Sequence, residues 1–202
     1  MIDRYSKICS AWEEEFARNR RLHGERIRCR PGCSDCCGQL FQITELEAAV
    51  ISAHVAELEE GERARMRASA AAYLEKRKAM VGAGRGPEAW GSLPPAGSRL
   101  PCPALTGQGA CGIYDARPLI CRKFGVPLYY ADKPGQVFAC ELNFRAGDAI
   151  DDGELIQIQT GLHAAWKQVQ RDYDAAGGYR DESAITVARA ITEDFRARAQ
   201  TT

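Results

Sequence analysis

The stretch Cys29-Arg-Pro-Gly-Cys33-Ser-Asp-Cys36-Cys37 places four thiols within nine residues, and what they bind decides how the middle of the chain folds. Pro31-Gly32 opens this loop and Gly38 closes it, residue types that interrupt regular structure. Four more cysteines, Cys102, Cys111, Cys121 and Cys140, follow in the second half, and the 64 residues between Cys37 and Cys102 contain none. Thiolates gathered in this way select zinc, Cu(I) or iron–sulfur clusters rather than hard ions such as magnesium or calcium. A metal or metal cluster held by Cys29, Cys33, Cys36, Cys37, Cys102, Cys111, Cys121 and Cys140 is therefore the first expectation.

The bulk properties agree with a reduced, thiol-based site. With 202 residues the chain is long enough to bury an ordinary core as a single domain, without staples to hold it. Its 27 basic and 27 acidic residues balance, which removes the usual reason to expect a nucleic-acid or anionic-membrane partner. No run approaches the roughly 18 apolar residues that a membrane span requires, and the opening residues lack the apolar stretch of a secretory signal. The chain thus reads as cytoplasmic, where clustered cysteines are more often metal-binding or catalytic than disulfide-bonded. The odd total of nine and the adjacency of Cys36 and Cys37 point the same way.

Outward from the loop, the periodicity is helical. Tyr5, Ile8, Cys9, Trp12 and Phe16 fall on one face and predict an amphipathic helix over 3–22, with Cys9 a small apolar residue rather than a ligand. Thr44-Glu45-Leu46-Glu47 has the form of a capping box and opens a second helix toward Gly61. Residues 62–80, rich in Ala, Arg, Glu and Lys, predict a more exposed third helix whose contacts are Met66, Ala70 and Tyr73 and whose charges form a solvated face. Five glycines and four prolines make 82–101 a loop, either lid or linker, and Trp90 in its middle suggests that part of it docks. The second cysteine segment is irregular apart from a short turn at 117–122. Phe124–Tyr130 and Val137–Cys140 suggest a small hairpin around Asp132-Lys-Pro-Gly135. Two helices within 153–199, split at Gly177-Gly178, complete a mainly α fold around an irregular Cys-rich core at 29–140.

Eight thiolates make one or two sites. Either each segment of four closes its own site, or the two halves interleave; a long intervening loop is only a weak obstacle, because closure entropy grows logarithmically with length. Cys36 and Cys37 can serve different metals, or one of them can remain a free nucleophile. The x3 and x2 spacings of Cys29, Cys33 and Cys36 also match the cluster loop of radical S-adenosylmethionine enzymes, but the repeated strand–helix units of their barrel are missing from this chain.

Cys29-x3-Cys33-x2-Cys36-Cys37, Thr44-x2-Glu47, Cys102-Pro and Cys111-x-Ile-Tyr-x2-Arg117-Pro118-x2-Cys121-Arg122, with the late Cys140, together resemble the YkgJ-type cysteine-cluster family of zinc- or iron-chelating domains. The family's own pattern is Cys-x2-Cys-x2-Cys-Cys, one residue shorter after the first cysteine than here. The family is in turn similar to the catalytic part of the flagellin lysine methylase, which implies an iron–sulfur cluster and methyl transfer for some members. Arg117 and Arg122, beside Cys121, are the candidates for cofactor binding. They would hydrogen-bond thiolate sulfur, offset the charge of a thiolate site, or grip a carboxylate or phosphate.

The basic run Arg18, Arg20, Arg21, Arg26, Arg28 and Arg30 lacks interleaved aromatics and reads as a solvated helix face. His23, His54 and His163 lie outside the cysteine motifs. The loop shape and the family relation favour a [4Fe–4S] cluster, with zinc as the alternative. The corresponding functions are a metallocluster enzyme of methyl-transfer or redox type acting on a protein or small molecule, a structural-zinc interaction protein, or a metal-handling protein.

Overall fold

The computed structural model describes residues 1–30, 32–81, 88–92, 94–130, 133, 136–145, 148–177 and 182–196. Its secondary structure is mainly helical, as the periodicity predicts, with one short antiparallel hairpin among the described residues. Several expectations fall partly outside those residues: the loop 82–101 at 82–87 and 93, the hairpin turn at 132 and 134–135, the helix break at Gly178, and the last helix beyond 196. The chain divides into two compact units, Met1–Pro31 with Leu119–Tyr173, and Gly32–Pro118 with Asp174–Thr202.

In the first unit, helix α1 runs from Ile2 to His23 and buries Tyr5, Ile8, Cys9 and Trp12 along one stripe. The i, i+3, i+4, i+7 spacing makes that stripe, and burying each large apolar side chain contributes on the order of 1.5–3 kcal/mol. Tyr5 stacks on Trp166, and Trp12 lies against His163. The basic run does not form a uniformly solvated face. Arg18 bridges the buried carboxylates of Glu15 and Asp152, Arg20 donates to the Cys29 carbonyl, and Arg26 donates to the Ala149 carbonyl. The hairpin pairs Leu128–Tyr129 (β1) with Val137–Phe138 (β2).

Gln159 is fully buried on the long C-terminal helix Leu155–Gly177. Its amide donates to the Pro127 carbonyl and accepts from the Tyr129 N–H, fixing the entry to β1. His163, on the same helix, stacks on Tyr130; burial and the nearby charges of Lys123 and Lys167 hold its pKa down to about 4. A histidine kept neutral in the fold but free to protonate when unfolded withdraws stability as pH falls from about 6.5 toward 4. Because the ring is only half-buried and solvent screens part of this effect, we expect a loss of about 1 kcal/mol over that window, absent in His163→Phe, when urea midpoints are followed against pH.

In the second unit, a capping box opens the helix Glu45–Glu57: the Thr44 hydroxyl accepts from the Glu47 N–H, and Glu47 accepts from the Thr44 N–H. That helix is buried on several sides, and the short helix Val187–Thr192 packs against it and against Glu60–Met80. Ala188 and Ala190 are completely buried, small enough to admit this close approach. Among the described residues this helix starts later than the pattern predicts because the Thr186 side chain caps it, leaving Ile185 before it, and it ends at Thr192, with Phe195 beyond.

Met66, Ala70 and Tyr73 make the buried stripe of Glu60–Met80 as expected, but Arg77 extends it. Its guanidinium forms a two-pronged ion pair with Glu88 at 2.7 Å and donates to the Tyr73 hydroxyl. The 88–92 segment docks through Glu88 and through backbone hydrogen bonds to 182–184, whereas Trp90 is left substantially exposed. None of the described helices is long and apolar enough to cross a membrane.

Candidate metal centre

Cys9 is buried, on the apolar stripe of the first helix, whereas the other cysteines are partly or, at Cys33, largely exposed. Among the described residues, no group of three or more His, Cys, Asp or Glu side chains is arranged to hold a metal ion as it stands. The cysteines are nevertheless not scattered. Cys33, Cys36, Cys37, Cys102 and Cys111 belong to the second unit, and Cys29, Cys121 and Cys140 to the first.

In the second unit, the loop turns through a short 3-10 helix, Asp35–Gly38, that carries Cys36 and Cys37. The Cys37 N–H donates to Ser34, and the Gln39 N–H to Cys36. This turned backbone is then paired by the second cysteine segment: the Leu100 N–H donates to the Gly38 carbonyl at 2.9 Å and the Cys102 N–H to the Cys37 carbonyl at 2.7 Å. Cys111 is brought back by a tight turn in which Leu105 and Cys111 bridge and the Gly112 N–H donates to the Ala104 carbonyl. The fit at Gly112 is tight: an added Cβ would stand 3.2 Å from that carbonyl oxygen and 3.0 Å from the Met66 methyl, so these neighbours would have to give by a few tenths of an ångström. The two cysteine segments are thus hydrogen-bonded to each other through their backbones within this unit.

The electrostatics show how close these thiols stand. Hydrogen bonding between Cys36 and Cys37, burial, and the neighbouring Cys37 charge all push the Cys36 thiol far above its ordinary range. Burial, opposed by a backbone hydrogen bond and reinforced by the charges of Cys111 and Cys36, pushes Cys102 up to about 11. Burial and hydrogen bonding thus hold Cys36 and Cys102 in their neutral form, and a soft, multiply charged cation is the species that would let these two ionise. The donor set fits a thiolate-bound metal. Cys33 is exposed. Arg99 adds a fixed positive charge at the edge of the loop, donating to the Asp35 carbonyl and carboxylate. Sequence reasoning passed over Arg99, whose only signal is its place three residues before Cys102.

In the first unit, Cys29 follows the 3-10 turn Gly24–Arg26, Cys121 lies on the one-turn helix Leu119–Lys123, and Cys140 follows β2. The side chain of Asn143, almost fully buried, reaches the Cys29 sulfur at 3.8 Å. Of the two candidate arginines, Arg122 pairs with Glu13 at 2.7 Å in this unit. Arg117, in the second, lies over the Tyr114 ring at 3.7 Å and donates to the Tyr114 carbonyl.

The family described as "CxxCxxCC: Putative zinc- or iron-chelating domain" matches residues 28–136, more than half of the chain. No curated protein and no solved structure matches.

Proposed function

From membership of this zinc- or iron-chelating CxxCxxCC family, to which the chain belongs, we propose that the protein is an iron–sulfur protein whose principal cluster is held by Cys36, Cys37, Cys102 and Cys111. Metal binding is the family's property; the choice of cluster over a single zinc ion rests on Cys36 and Cys37. Tetrahedral zinc sites draw their ligands in knuckles with two to four residues between the cysteines. Here two of the four sulfur atoms come from consecutive residues whose thiols are hydrogen-bonded to each other. Such a pair suits a cluster, which offers a separate metal atom to each sulfur. When bound, the cluster supplies one-electron redox chemistry or a Lewis-acidic iron.

The chain's own residues would set its environment. The Cys37 carbonyl and the Cys102 N–H seat the two ligand segments on each other, and Arg99 balances part of the negative charge that four thiolates carry. The assembly would serve electron transfer or group transfer on a protein or small-molecule partner. Elemental analysis of anaerobically purified protein is expected to give iron with acid-labile sulfide and a broad visible absorption. Stoichiometric zinc without sulfide, unchanged after anaerobic cluster reconstitution, would replace this reading with a structural-zinc protein.

A further inference from the structure

The segment 88–92 is seated on the second unit by polar contacts. Its Glu88 side chain turns inward, while Ala89, Trp90, Gly91 and Ser92 are exposed. The pocket that receives the carboxylate is lined by Arg77, Tyr73 and Gln42. Arg77, only 2% exposed, donates to both carboxylate oxygens at 2.7 Å, and its third nitrogen donates to the Tyr73 hydroxyl at 3.1 Å. The Gln42 amide gives the carboxylate another donor at 2.8 Å, and the Gln42 oxygen accepts from the Gly91 N–H.

The backbone of the segment is extended against residues 182–184. The Ala184 N–H donates to the Glu88 carbonyl at 2.7 Å, the Trp90 N–H donates to the Glu182 carbonyl at 2.9 Å, and Ala89 and Ser183 form an antiparallel bridge. That edge is itself fixed: the Ile185 carbonyl accepts from the Ile43 N–H, and Arg189 donates to the Ser183 hydroxyl and the Ala184 carbonyl.

A strand-like backbone pairing beside one specific side-chain pocket is how a folded domain takes up an extended peptide: the main chain supplies affinity and the pocket supplies selectivity. A two-pronged guanidinium with an added amide selects a carboxylate. Fastening a loop calls for neither, because apolar residues of similar volume often match or better a buried ion pair. Here the one large apolar side chain of the segment, Trp90, is left outside.

We propose that the edge 182–184 and the Arg77–Gln42 pocket form a recognition site for an extended, glutamate-bearing segment of a partner protein, and that residues 88–92 occupy it as a pseudoligand which that segment displaces. Arg77 also reaches the Leu40 carbonyl at 3.5 Å, three residues beyond Cys37, so a partner seated here lies beside the cysteine loop. The site is independent of which metal the cysteines hold. A tethered pseudoligand competes at an effective concentration on the order of millimolar, so a free peptide binds only the fraction of molecules that has released it.

The test uses a fluorescein-labelled peptide with the sequence of residues 86–92, titrated against the full chain by anisotropy. Glu88→Ala, which removes the competing carboxylate, should bind it at least about tenfold more tightly than the wild type. A peptide carrying glutamine in place of its glutamate should bind Glu88→Ala at least about tenfold more weakly. In the wild type, excess peptide should speed hydrogen exchange of the Trp90 amide, while the Ala184 amide, covered again by the peptide, stays protected.

Equal affinity of wild type and Glu88→Ala, or binding to neither, overturns the pseudoligand. Equal affinity of the glutamine peptide overturns the carboxylate pocket. A Trp90 amide whose exchange is unchanged at peptide concentrations about a hundredfold above the Glu88→Ala dissociation constant makes 88–92 a fixed part of the fold and overturns displacement. That exchange is read in the wild type at millimolar peptide as well, where the same result counts against the proposal without any variant having to fold.

Discussion

Replacing Cys102 with serine is expected to abolish tight metal binding in the second unit, lowering affinity by more than about a hundredfold, and to remove the stability that the metal confers. Serine keeps the backbone hydrogen bond from residue 102 to Cys37 and nearly the same volume, but it stays un-ionised and is a poor ligand for a soft metal. The control is the metal-free state: without metal, variant and wild type should melt within about 1 kcal/mol of each other, because the thiol is then only one small half-buried group.

A large difference between the metal-free proteins would mean that Cys102 is a packing residue first. The pH dependence sharpens the test. Cys102, pushed up to about 11, and Cys36, also raised, are protonated at neutral pH, so metal must displace a proton from each. The raised values favour the proton, so acidification releases metal: apparent affinity should fall by at least about a hundredfold per pH unit lowered near pH 7, a factor of ten for each of these two displaced protons. A flat profile would exclude these two thiols as ligands.

The second large effect is expected at an ion pair rather than at a cysteine. Arg77→Ala should destabilise the second unit by about 3–5 kcal/mol, because it leaves the Glu88 carboxylate half-buried without its partner. Double replacement by Arg77→Met and Glu88→Gln should cost much less, since most of the penalty is the stranded charge rather than the loss of the pair. Urea midpoints at constant slope would measure both. Burial raises the Glu88 pKa, but hydrogen bonds from Arg77 and Gln42 outweigh it and leave the carboxyl below its usual range. Its contribution is therefore present above the ordinary carboxylate pKa and lost as pH falls through the lower folded value. Arg77→Ala should remove that acid-side dependence along with the stability.

Helix identity was legible where the apolar period is long: Tyr5 to Trp12, Met66 to Tyr73, and the Thr44–Glu47 capping box are local patterns whose physical cause lies within a few residues. The cysteines were legible as metal-binding because sulfur chemistry is specific to few ions, and the family that matches residues 28–136 is a zinc- or iron-chelating one. How they divide was not legible. Nothing in Cys29-x3-Cys33 says that its two ends belong to different compact units, since that depends on long-range packing of 119–173 and 174–202.

The polar residues that shape the interior were equally hidden. Arg77 on a helix face full of charges, Gln159 on an apolar stripe and Asn143 in a turn all look solvated until a distant carboxylate or carbonyl is placed beside them. Trp90 hinted that part of the Gly/Pro loop docks, and residues 88–92 do, through the Glu88 carboxylate and backbone hydrogen bonds that include the Trp90 N–H, while the Trp90 side chain stays substantially exposed.

The hydrogen bond from Cys102 to Cys37 also carries a consequence for the order in which the protein is made. At about 5–20 residues per second, the 64 residues that separate them take several seconds to synthesise, and Cys111 emerges later still. Through that interval Cys36 and Cys37 are a vicinal dithiol without the Cys102 segment that pairs with them. Under the proposal that Cys36, Cys37, Cys102 and Cys111 share a metal, loading would depend on how reduced the nascent chain is kept and would follow synthesis of its second half.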